Sequence, residues 1–188
     1  GELINKGGAA GKIVEVKEHP QLVAKIFHSL AKSSTNREKL QAMLLNRPAF
    51  SPALKNGKEF LADDGKKYIQ IAWPEAILEN EEGFCVGYLM PRIELNRAAS
   101  LDHFMQRATR QKLKLPENYE YRIRIACNLS SMVAALHEKG HYIVDLKPSN
   151  VYVYKESMLI SMLDCDGFSI LGDKARYPAE FVSEEYIC

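Results

Sequence analysis

Several classes of protein are excluded by what this chain has little of. Its four cysteines, Cys85, Cys127, Cys165 and Cys188, include no C-x-x-C pair. That removes the usual spacing of a zinc site and any disulfide framework, leaving reduced thiols as the simple expectation. No apolar run approaches the roughly 20 residues of a membrane-spanning helix. No secretory signal is read at the start, so a cytoplasmic location and no membrane partner are expected. The net charge is only +1, which argues against nucleic acid as a partner. No internal repeat or low-complexity tract is visible. The first residue is Gly, which is expected of a trimmed piece. What is present, 46% hydrophobic and 26% charged over 188 residues, is an ordinary globular composition.

The most informative stretch is His141-Tyr142-Ile143-Val144-Asp145-Leu146-Lys147-Pro148-Ser149-Asn150, followed by the strand-like Val151-Tyr152-Val153-Tyr154. It sets an Asp, a Lys and an Asn at D-L-K-x-x-N spacing. In phosphoryl transfer a carboxylate accepts or orients the attacking hydroxyl, a cation softens the moving charge, and an amide oxygen can hold a metal ion. Further on, Met158-Leu159-Ile160-Ser161-Met162-Leu163-Asp164-Cys165-Asp166-Gly167-Phe168 brings two more carboxylates. Ile160, Met162 and Asp164 fall on one face at a period of two. Hard carboxylate and amide oxygens suit Mg²⁺, and Asp166 is a candidate extra ligand.

Upstream, Lys6-Gly7-Gly8-Ala9-Ala10-Gly11-Lys12-Ile13 is a glycine-rich stretch before a returning strand. Such a loop lets backbone approach phosphates closely. Leu22-Val23-Ala24-Lys25-Ile26-Phe27 embeds a lysine in apolar residues, costly unless it has an anionic partner. Glu38 is the only acidic residue between positions 20 and 58 and is the candidate partner, on a helix from about Thr35 to Leu45. The competing reading is a capping box, Thr35-x-x-Glu38.

Taken in order, these motifs resemble those of the protein kinases. The D-L-K-P-S-N and D-C-D-G-F forms resemble a bacterial branch of kinase-like proteins, some of which accompany tellurite-resistance and stress genes. The resemblance implies an α+β, two-lobed fold. Residues 1–90 would form an N-lobe of β-sheet plus one helix, 91–95 the hinge, and 96–188 a partial, mainly helical C-lobe. That C-lobe is expected to be truncated, because the chain stops at Cys188. The implied cofactors are ATP and Mg²⁺. The resemblance makes Asp145 the base, Lys147 the charge-stabilising cation, Lys25 the phosphate grip and Glu38 its positioner. Asn150 and Asp164, with Asp166, would hold the metal. Gly8, Gly11, Ile13, Lys25, Met90, Arg92 and Ile93 would surround the nucleotide. Lys147 is the Ser/Thr-like choice, so the expected reaction is transfer to a protein Ser or Thr; partners by analogy include a stress-signalling phosphatase. The rivals are a nucleotide-binding pseudokinase and a small-molecule kinase.

The pattern also breaks. Ile143-Val144-Asp145 stands where H-R-D is usual. Without that Arg there is no receptor for an activation-loop phosphate, so activity is expected not to depend on one. Cys165 replaces the Phe of D-F-G and reads as a small buried filler. Pro178 to Glu185 resembles a substrate-docking segment. Secondary structure is expected as an exposed hairpin or disordered insertion over Lys55 to Lys67 and strands over Tyr68 to Leu78 and Phe84 to Met90. A short helix from a Ser100 cap to Lys112 and a long one from Pro116 to Lys139 complete the expectation. The long helix has a stripe of Ile125, Leu129, Met132, Val133 and Leu136 and stops at Gly140. His137 is expected to interact with its C-terminus.

Overall fold

Residues 2–5, 10–49, 59–61 and 66–179 are described by a computed structural model. The expected α+β class is what is observed: antiparallel sheets with, among the described residues, four α-helices. The chain divides into two compact units. One comprises Gly1–Arg47, Trp73–Arg92 and Ile170–Tyr177; the other comprises Pro48–Ala72, Ile93–Ser169 and Pro178–Cys188.

The first unit is built on strands β1 (Leu3–Asn5), β2 (Gly11–Glu15) and β3 (Leu22–Phe27), followed by helix α1 (Ser33–Leu45). After β4 (Glu59–Leu61) and β5 (Lys67–Ile69), which belong to the second unit, β6 (Ala76–Glu79) and β7 (Cys85–Pro91) complete its sheet in the order β1-β2-β3-β7-β6. Every pairing in this sheet is antiparallel. Helix α1 is fixed by its buried face of Lys39, Leu40, Ala42 and Met43. Trp73 is itself buried and donates its indole N–H to the Met43 carbonyl at 2.8 Å. The helix begins two residues before Thr35 and has no side-chain cap, so the competing capping-box reading does not hold. Its start is closed by backbone, Asn36 N–H to the Lys32 carbonyl at 2.8 Å. The Ser33 hydroxyl instead accepts the Cys85 N–H of β7 at 2.7 Å.

The single strand expected over Tyr68 to Leu78 is two strands, one in each unit. Trp73-Pro74 separates them, and proline cannot donate to a sheet ladder. The polar insertion is a β4–β5 hairpin, with 50–58 and 62–65 outside the described residues.

The second unit continues with β8 (Ala98–Ser100), α2 (Leu101–Met105), α3 (Arg107–Lys112) and α4 (Tyr119–Glu138), then β9 (Val151–Tyr154) and β10 (Ile160–Met162). The three strands form an antiparallel sheet in the order β10-β9-β8. The one short helix expected from Ser100 to Lys112 is broken at Gln106, which is extended. The break is stabilised by buried Arg110, which donates to the Phe104 and Met105 carbonyls at 2.7 and 3.1 Å. Of the expected α4 stripe, Ile125, Met132 and Leu136 are buried, joined by Ala135, while Leu129 and Val133 are half-buried. Gly140, at φ 72°, ends the helix in the left-handed region as expected. Arg97 lies against the Tyr68 and Tyr154 rings and pairs with Glu94 and Glu156, which pins the hairpin to the sheet. The strands β11 (Ile170–Leu171) and β12 (Arg176–Tyr177) form a final hairpin in the first unit. There Asn46 Nδ2 donates to the Leu171 carbonyl at 3.2 Å.

Candidate active site

In the first unit two of the candidate nucleotide residues, Ile13 and Lys25, share one rung of the sheet. Lys25 lies directly across from Ile13 on β2 and Tyr88 on β7. Residues directly opposed in this way share a face. Lys25 is only 4% exposed, so β3 turns its lysine into the unit and not to solvent. Gly11 stands two positions along β2 from Ile13. A Cβ there would come 2.5 Å from the Ile26 carbonyl oxygen, so the close approach of β2 and β3 itself demands glycine. The glycine requirement at this position thus has a cause within the sheet. Gly8 lies outside the described residues.

Glu38 does not meet Lys25. It lies on the exposed side of α1, whereas Lys39, one position on, is 7% exposed. Each helical residue turns by about 100°, so the phase that buries Leu40 and Met43 carries Glu38 outward. The charged residue that α1 buries is a lysine, Lys39.

The hinge residues divide between roles. Met90 is buried at the end of β7 and Ile93 is buried in the second unit. Arg92 donates its N–H to the Gln21 carbonyl at 2.8 Å and its guanidinium to Glu15 at 3.0 Å. That backbone bond continues the β3–β7 pairing one residue beyond Leu22 and Pro91.

In the second unit, α4 delivers the chain to the D-L-K-P-S-N loop. His141 is 0% exposed, and its N–H bonds the Leu136 carbonyl at 2.9 Å. Tyr142 and Ser169 then exchange two backbone hydrogen bonds, of 2.9 and 2.8 Å, tying this loop to the segment after Gly167. The His137 ring packs against Tyr142, with centroids 5.3 Å apart, a contact not expected from its place at the helix end. Three residues on, Lys147 Nζ lies 2.9 Å from Asp145 Oδ2. Both side chains are mostly buried, so water screens the pair less than a surface one. The loop is also bonded to itself, from Lys147 N–H to the Asp145 carbonyl and from Asn150 N–H to the Lys147 carbonyl, each at 3.0 Å. Pro148–Asn150 form a 3₁₀ turn with proline at its start.

The second carboxylate segment joins through one bond, Leu163 N–H to the Asn150 carbonyl at 2.9 Å. This bond brings the residue before Asp164 to the backbone of Asn150. Strand alternation is not what distinguishes Asp164, because β10 ends at Met162 and all three of its residues are buried. Asp164 adopts φ 52°, ψ 40°, a left-handed conformation sparsely used by non-glycine residues. Gly167 N–H bonds its carbonyl at 2.9 Å, closing a 3₁₀ turn over Cys165–Gly167. The turn exposes the Asp164 side chain, leaves Asp166 half-buried and buries Cys165 completely, as a filler role expects. Such backbone outliers gather at functional sites, where surrounding structure holds them. Among the described residues no group of three His, Cys, Asp or Glu side chains can hold a metal. The hard oxygens of Asn150 and Asp164 are of the kind that Mg²⁺ takes together with phosphate and water oxygens.

Sequence reading missed His141, Lys39 and Ser100. His141 stands where no motif position calls for it, and its only signal is its adjacency to the Gly140 stop. The Ser100 hydroxyl donates to the Pro148 carbonyl at 3.1 Å and makes no helix cap.

The chain is similar to protein kinase YegI of Escherichia coli (strain K12), 26% identical over 175 residues, covering 90% of this chain and 23% of that protein. The same holds for protein kinase YegI of Escherichia coli O157:H7, 26% identical over 175 residues and again 90% and 23% of the two chains. This chain spans about a quarter of the length of the curated relatives it matches (23%). No family model matches it. No helix among the described residues is long and apolar enough to cross a membrane.

Proposed function

We propose that this chain is the ATP-dependent phosphoryl-transfer region of a protein kinase of the two-lobed kinase fold, acting on Ser or Thr of a protein substrate. The observation that carries the reading is the Asp145–Lys147 contact at 2.9 Å on a loop whose Asn150 is bonded to the residue before Asp164. The five-stranded sheet with its buried Lys25, and the likeness to a protein kinase, support it.

In this reading Asp145 accepts or orients the proton of the attacking hydroxyl. Lys147 holds the Asp145 carboxylate in place and offers positive charge where the transferring group develops negative charge. The γ-phosphorus bond to the bridging oxygen of ATP breaks, the bond to the substrate oxygen forms, and ADP leaves. Lys25 holds phosphate oxygens. Asn150 and Asp164 would hold Mg²⁺, with Asp166 beside them; when bound, the ion supplies charge neutralisation for the phosphates. With Glu38 turned outward, α1 contributes no carboxylate to Lys25. A cytoplasmic location and a stress-signalling partner such as a phosphatase belong to the same proposal.

A second reading, a nucleotide-binding scaffold without transfer, is favoured by one observation, the exposed Glu38. Transfer of labelled γ-phosphate from Mg·ATP to the full protein and to a generic protein substrate separates the two, with Asp145→Asn and Asp164→Asn beside it. Phosphate recovered on Ser or Thr, and lost in both variants, supports the kinase. Nucleotide binding without transfer supports the scaffold.

A further inference from the structure

We infer that Ser100 is a positioning residue for the catalytic loop, setting through the Pro148 carbonyl the geometry with which Asn150 meets a divalent cation. The inference rests on the phosphoryl-transfer reading of that loop. Ser100 closes β8 and precedes α2, where a serine hydroxyl ordinarily accepts an N–H of the first helical turn. It makes no such bond. Its Oγ lies 3.1 Å from the Pro148 carbonyl oxygen, across 48 residues of sequence. The Pro148 carbonyl also accepts the Val151 N–H that closes the 3₁₀ turn. Both of its lone pairs are therefore used, and the turn that carries Asn150 is clamped at its first residue by Ser100.

At the other end of the same turn, the Asn150 carbonyl is clamped by Leu163 N–H at 2.9 Å. The sheet holds Ser100 itself in place, because it pairs across β8 and β9 with Tyr152, two residues beyond Asn150. Ser100 Oγ lies also 3.2 Å from Asp102 Oδ2. A hydroxyl has one proton to donate, so the carbonyl and the carboxylate compete for it. Asp102 thus tunes how firmly Ser100 grips the loop. A cap-type residue at a cap position, spending its hydroxyl on the loop, does what a helix cap does not require.

The test is Mn²⁺ binding in the presence of ADP, read as free Mn²⁺ by electron paramagnetic resonance, in the full protein and its Ser100→Ala, Ser100→Cys and Ser100→Thr variants. Loss of the grip is expected to weaken Mn²⁺ about tenfold in the Ala and Cys variants, the size of effect seen when a group orienting a ligand is removed. The Thr variant keeps the hydroxyl and is expected within about twofold of wild type on the same scale. Each variant is first shown by thermal denaturation to be fully folded under the assay conditions, so that a merely structural role leaves the dissociation constant unchanged. Unaltered Mn²⁺ affinity in Ser100→Ala, or unfolding of both the Ala and Cys variants, overturns the positioning role while wild-type transfer keeps the kinase reading. A wild-type protein that binds no Mn²⁺ with ADP and transfers no phosphate overturns both.

Discussion

The loop of the second unit and the lysine strand of the first solve the same problem, holding charged groups in place among apolar ones, by different means. The loop is held by its own short-range backbone bonds, and its Asp145 and Lys147 find each other two residues apart. Lys25 is held by a strand, and its expected partner sits on a helix whose rotation is set elsewhere, by Leu40, Met43 and the Trp73–Met43 hydrogen bond. One helical position separates an inward lysine from an outward glutamate. Contiguous motifs therefore transmit their chemistry to the structure directly, whereas pairings between elements depend on packing that no motif records.

The comparison is sharpened most by Asp145→Asn. It is expected to lower the transfer rate by about 10²–10⁴-fold, the usual contribution of a positioned base. Nucleotide affinity, measured by equilibrium binding, should hardly move. Next come the two aspartates of the D-C-D turn. Asp164→Asn is expected to cost about 10²–10³-fold in rate, as the loss of a group acting on developing charge does. Asp166→Asn should cost only about tenfold, as a supporting group does. Steady-state rates across a Mg²⁺ titration check this order, and equal losses would remove the distinction.

On the helix side, Lys39→Met is expected to lower stability by about 1–3 kcal/mol in denaturant unfolding, because it removes a buried polar group and strands whatever it engages. Glu38→Lys should change stability by no more than about 0.5 kcal/mol, as at other exposed sites. Although the kinase resemblance makes Glu38 the positioner of Lys25, its exposure predicts near-wild-type transfer rates for this variant. Smallest of all, phosphatase treatment of the purified protein should leave activity unchanged, since Ile143-Val144 offers no arginine to an activating phosphate. A measurable loss would point to a receptor elsewhere in the structure.

Much of this was legible in the residues. Helix α4, its buried Ile125, Met132 and Leu136, and its stop at Gly140 follow from periodicity and the need for a left-handed residue. The loop chemistry follows from spacing. What was not legible came from competition for hydrogen-bond donors and acceptors over long range. Ser100 looks like a helix cap and spends its hydroxyl on another element, at the Pro148 carbonyl. Arg110 breaks a helix that local propensity would continue, by bonding carbonyls five and six residues back. Strand alternation groups Asp164 with Ile160 and Met162, yet what distinguishes it is a left-handed turn beyond the strand end.

The most direct test of the account is the rate of labelled γ-phosphate transfer by Asp145→Asn and Glu38→Gln in one experiment with the wild-type protein. The account predicts that Asp145→Asn falls to background while Glu38→Gln stays within about threefold of wild type, the scale of an exposed substitution. Wild-type transfer by Asp145→Asn would contradict it, and so would a Glu38→Gln variant as inactive as Asp145→Asn.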